Sequence, residues 1–155
     1  MAAGRRSSAT SWLDCSSAFA HLPVHSDSSD TRALGRELTD KFAEGWTKAR
    51  LDTLCSVFAD DAVFIETPFS QPLQGLAAIR RWWADVPYHQ SEINCSTGEI
   101  YSAGPWFSTE FNVKFRRRRT GEWVEARGAI FCETAGGKIT EMRMYWHRWS
   151  GGREV

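Results

Sequence analysis

The chain has 155 residues, room for one domain of ordinary size. Its 19 basic and 19 acidic residues cancel to a formal charge of zero, so no global field draws it to nucleic acid or to an anionic membrane, and no run approaches the roughly 18 apolar residues of a membrane span. Hydrophobic residues at 42% and charged residues at 25% are ordinary globular values, whereas eight Trp and nine Phe point to bulky packing or an aromatic-lined cavity.

Residues 1–29 are rich in Ser and Ala and show no sustained period, which predicts a disordered leader. The pair Arg5-Arg6 suggests a targeting signal, but the apolar core of such a signal is missing and Asp14 interrupts the segment. Cys15, Cys55, Cys95 and Cys132 lie far apart without a C-x-x-C pair, which argues against a metal site and reads as reduced thiols of a cytoplasmic protein. The domain is expected over 30–150, with a short tail at 151–155.

Within the domain, Leu34, Leu38, Phe42 and Trp46 recur every four residues and predict an amphipathic helix, with Asp30 or Thr31 as its cap. Leu51, Leu54, Cys55 and Phe58 predict a short second helix that Asp60-Asp61 ends. Ala62 to Glu66 reads as a strand closed by Thr67-Pro68. Leu76, Ile79 and Trp82-Trp83 mark a third helix, stopped before Pro87. Strands follow at about 91–102, 105–117, 122–134 and 138–149, broken at Gly104-Pro105, Thr120-Gly121 and Gly136-Gly137. In the segment 105–117, Phe107, Phe111, Val113 and Phe115 share one face and Ser108, Glu110, Asn112 and Lys114 the other, the alternation of an antiparallel sheet packed on one side. Helices first and a long meander afterwards predict an α+β fold. The run Arg116 to Arg119 reads as a solvated hairpin tip.

Three stretches carry a resemblance: Phe58-Ala59-Asp60-Asp61-Ala62-Val63-Phe64, Gly75-Leu76-Ala77-Ala78-Ile79-Arg80, and Gly137-Lys138-Ile139-Thr140-Glu141-Met142. In this order and with these gaps, over about residues 32–149, the chain resembles the nuclear transport factor 2-like superfamily, and within it the SnoaL-like and ketosteroid-isomerase-like branch. The resemblance implies a cone-shaped fold, three N-terminal helices packed on a curved, mainly antiparallel sheet around one apolar pocket. It also implies a homodimer, through an outer face where Tyr145, His147 and Trp149 alternate. The fold fixes no reaction.

The isomerase resemblance carries a base carboxylate onto Glu66. Its two oxyanion donors fall at Phe42 and near Ala129, neither of which can donate, so a steroid isomerase mechanism is not expected. Glu66 is expected to face the cavity mouth, where burial would raise its pKa toward that of a general base; the alternative is an exposed carboxylate or one paired with Arg127. Arg127, in phase with Glu125 and Ala129, is a candidate for binding a ligand oxygen, against a salt bridge to Glu125, Glu110 or Glu66. His147 is a weaker proton-shuttle candidate, because Met142, Met144 and Trp146 place it on the opposite face. Phe42, Trp46, Phe64 and Trp83 are expected to converge, either interdigitated as core or around a space, which the resemblance favours, with Ala129, Met142 and Trp146 completing the pocket lining. These residues predict a small-molecule pocket protein without cofactor or metal. One reading is an acid–base isomerase, cyclase, dehydratase or hydrolase acting on an apolar, polycyclic or terpenoid-like substrate. The other is a non-catalytic binding or dimerisation module.

Overall fold

A computed structural model of the chain describes residues 28–150. The expected leader and tail lie outside them, save that the first helix already begins at Ser28. Helix α1 spans Ser28–Thr47. Leu38, Phe42 and Trp46 are buried on its inner face, while Glu37–Lys41 and Glu44–Lys48 pair at 2.7 and 2.8 Å along its outer one. Asp30 and Thr31 do not cap it. Both lie inside the first turns, and the Thr31 hydroxyl donates to Gly104 O at 2.8 Å.

Helix α2 is the single turn Leu51–Cys55, and strand β1 runs over Phe58–Ile65. Asp60-Asp61 therefore lie within the strand rather than ending the helix. Their side chains are exposed where the pairing of β1 steps from Phe58↔Ile139 to Val63↔Glu141, a bulge that leaves no ladder position for them to disturb. The two-residue strand β2, Leu73–Gln74, pairs antiparallel with β1.

Helix α3 spans Leu76–His89 and runs through Pro87, where the sequence predicts a stop. Proline forfeits one helical N–H, but only in the last turn, and the carbonyls exposed there find an outside donor. The Arg118 Nε donates to Pro87 O at 2.7 Å and to Gln90 O at 3.2 Å, and its backbone N–H donates to His89 O. The arginine run is thus more than a solvated tip. Arg116 reaches Glu92 at 3.4 Å and Arg117 reaches Glu122 at 3.1 Å.

The predicted strand over 91–102 is two strands, β3 at Gln90–Thr97 and β4 at Tyr101–Ala103, because the chain dips between them to bury Ile100. Strands β5 (Trp106–Arg117), β6 (Trp123–Ala135) and β7 (Lys138–Ser150) complete a sheet of order β2-β1-β7-β6-β5-β3, with β4 pairing β5. All pairings are antiparallel except β1 with β7. The β6–β7 hairpin turns on Gly136-Gly137, both at positive φ (59° and 76°), as a tight two-residue turn demands. The inner faces of β5, β6 and β7 bury Phe107, Phe111, Val113, Val124, Ile130, Met142 and Met144 under α1 and α3. No helix among the described residues is long and apolar enough to cross a membrane.

Candidate functional site

Alternation decides which side chains meet under the helices. On β1, Ala62 and Phe64 are buried, and Glu66, the residue after the strand, continues the same set. On β7, Met142, Met144, Trp146 and Arg148 point inward, and the Trp146 Nε1 donates to Glu66 O at 3.0 Å, tying the end of β1 to the last strand.

A cavity of about 170 Å³ opens beside this junction. Trp46 of α1 and Trp82, Trp83 and Val86 of α3 form its roof; Phe111, Val113 and Phe115 of β5 and Val124 and Ala126 of β6 form its floor. Met144, Trp146, Arg148, Glu66 and Gln90 close the sides. An apolar cavity of roughly 150 Å³ holds a benzene ring, so the space beside this junction has room for at least one ring.

Glu66 is the one carboxylate of this lining. Among the described residues no hydrogen bond or ion pair reaches its carboxylate oxygens, and burial pushes its carboxyl up from the ordinary value. Lost hydration penalises the charged form, and no neighbouring cation reverses that. Two polar neighbours were not singled out from the sequence. Arg148 is exposed at the rim, in phase with Met144 and Trp146, a period-2 signal that was legible. Gln90, at the α3–β3 junction, accepts a hydrogen bond from the Trp46 Nε1 at 3.0 Å, and no local pattern announced it. Trp83 adds a buried Nε1 without a partner among the described residues.

Several expected site residues lie elsewhere. Phe42, Trp46, Phe64 and Trp83 do converge, but they pack on one another, Trp83 edge to face with Phe42 and Trp46 and tilted against Phe64. Trp83 lies 5.3 Å from Phe42, 5.0 Å from Trp46 and 5.9 Å from Phe64. Phe42 and Phe64 are therefore core residues, and the cavity lies beyond the rings of Trp46, Trp82 and Trp83. Met142 is fully buried in the core, and Met144 takes the lining position one inward step along β7. Ala129 faces outward, since its inward neighbours on β6 are Gly128 and Ile130. Arg127 shares that outer face. It is exposed and its Nε donates to Glu125 at 2.6 Å, the salt-bridge alternative rather than the ligand-binding one. His147 is exposed on the same face beside Glu125, Arg127 and Trp149. The groove there is larger, about 780 Å³ at Ser96, Asn112 and Arg127, but it is open and shallow with no buried ionisable group.

The described residues form an α+β cone with an apolar cavity between its helices and a bent sheet, and one half-buried carboxylate stands in the lining of that cavity. The family model described as the SnoaL-like domain matches residues 39–142, and the chain belongs to that family. It shares the cone-shaped fold of the nuclear transport factor 2-like superfamily. Similar solved structures include a protein of ketosteroid isomerase-like fold from Catenulispora acidiphila in complex with trimethylamine. That match has TM-score 0.64 and 20% identity, covering 70% of this chain and 84% of that one. Another is an epoxide hydrolase of M. tuberculosis (TM-score 0.64, 16% identity, 75% and 84% covered). A third is the epoxide hydrolase/cyclase-like enzyme SalBIII of pyran ring formation in salinomycin (TM-score 0.66, 16% identity, 78% and 93% covered). No curated protein matches the chain in sequence.

Proposed function

We propose that the chain is a cofactor-independent acid–base enzyme acting on a compact apolar molecule, with Glu66 as the general base. The carrying observation is the unpaired Glu66 carboxylate in the wall of an aromatic cavity, with burial raising its pKa. A base is most useful when its pKa approaches the working pH, and here desolvation moves a carboxylate in that direction. Folds like this one host hydrolase and cyclase chemistry in the neighbours named above, which supports proton transfer as the class. The test is a screen of the purified chain against one-ring epoxides and enolisable ketones, with Glu66→Gln as control. Turnover lost in the variant supports the reading. Tight binding of these molecules without turnover would leave the non-catalytic binding module in its place.

The same reading includes a homodimer through the outer sheet face. Trp123, Phe131, Tyr145 and Trp149 are 52%, 44%, 43% and 62% exposed there, and Phe131 and Tyr145 pack edge to face at 5.7 Å. Clustered exposed aromatics of this kind mark association surfaces. Sedimentation at roughly tens of micromolar should show a dimer that Tyr145→Glu splits, whereas a monomer at that concentration would count against it.

A further inference from the structure

A base alone does not complete a site for proton transfer, because the charge that develops on the substrate oxygen needs a donor aimed at it. Phe42 and Ala129, the positions matched to such donors, supply none, whereas the cavity lining holds two other donor groups, the Gln90 amide and the Trp83 Nε1. The Gln90 Oε1 faces the Trp46 indole N–H at 3.0 Å. An indole N–H only donates, so the carbonyl end of the amide must lie against it and both N–H groups of Nε2 turn away. Among the described residues nothing accepts from Nε2. Both partners of this hydrogen bond are held in place. Trp46 is wedged against Phe42 and Trp83 at 6.0 and 5.0 Å, while the Gln90 backbone donates to Val86 O and accepts from the Arg118 Nε.

We propose that Gln90 is the hydrogen-bond donor to the ligand, that Trp46 is the positioning residue that aims it, and that the ligand is a compact, one-ring molecule with a neutral acceptor oxygen. The inference rests on the reading of the cavity as a small-molecule site. It adds a donor within the cavity that also holds Glu66, so that a ligand oxygen is polarised while the base takes a proton.

Cyclohexanone and methylenecyclohexane have nearly the same shape and differ in C=O against C=CH2, so they separate a donor from a shape effect. Binding of each to the full chain is followed by tryptophan fluorescence, three of whose reporters form the cavity roof. Gln90→Leu should weaken cyclohexanone by up to about tenfold and leave methylenecyclohexane within about twofold, the signature of one lost neutral hydrogen bond. Gln90→Met keeps the length of the side chain and removes the donor without adding a charge, so it should show the same selective loss even if the leucine variant folds poorly. Trp46→Phe should lower the ketone-to-alkene affinity ratio, with no further fall in that ratio when Gln90→Leu is added. If both ligands bind and neither Gln90 variant changes the ratio, the Gln90 assignment is overturned and the cavity reading stands. If neither ligand binds the unaltered chain, both are overturned.

Discussion

Glu66→Gln is expected to cut turnover by about 100-fold or more, because it keeps the shape of the side chain and removes its only basic site. The fall should appear in kcat as well as kcat/KM, since the lost proton transfer belongs to the transition state. Stability should move the other way at neutral pH. The folded-state carboxyl titrates above its ordinary value through desolvation, so the native chain holds its proton to higher pH than the unfolded chain does. The burial cost is absent below the unfolded pKa, where both states are protonated, and grows as pH rises through the folded one. A neutral amide at this position carries no such cost, so the variant should gain stability over the parent above that window and lose the gain below it. Full activity in the variant would remove Glu66 from the mechanism.

The second large effect concerns Gly128 on β6. A Cβ built there would lie 2.0 Å from Tyr145 O and 2.6 Å from the Trp146 Cα, backbone atoms of the paired strand that no side-chain rotation can move. Gly128→Ala is therefore expected to force β6 and β7 apart at the Gly128↔Trp146 pair. A cost of about 3 kcal/mol follows from overpacking of this kind, a fall of roughly 10 °C in Tm. Trp146 bonds Glu66 O and lines the cavity, so activity should fall with stability. Ala129→Ser, one residue away on the outer face, should stay within about 0.5 kcal/mol of the parent. A Gly128→Ala chain with an unchanged midpoint would show that the strands relax freely at this point.

What was legible in the sequence follows from where local pattern and tertiary packing agree. The alternation of Phe107, Phe111, Val113 and Phe115 survives intact, because one face of β5 meets the core over most of its length. Gly136-Gly137 marks its hairpin because only that turn needs two successive positive φ values. The end of α3 was not legible, since the donor that lets it pass Pro87 comes from Arg118, distant in sequence. Ala129 and Arg127 show a different failure. Their shared phase is visible in the sequence, but the resemblance assigns that phase to the pocket, whereas the buried set on β6 includes Val124, Ala126, Ile130 and Cys132. Gln90 carries no local signal, because its place in the cavity rests on one hydrogen bond from another helix. Glu66 was legible because strand phase and family resemblance pointed to the same side.

Everything proposed for this cavity depends on Glu66 being a half-buried carboxylate with no cation beside it. Carbon-13 NMR titration of the Glu66 side-chain carboxyl, assigned by comparison with Glu66→Gln, tests it most directly. The pKa should lie above the ordinary glutamate value and rise further when an uncharged one-ring ligand displaces water from the cavity. An ordinary or lowered pKa would contradict it, because it would mean that the carboxylate is solvated or paired with a cation.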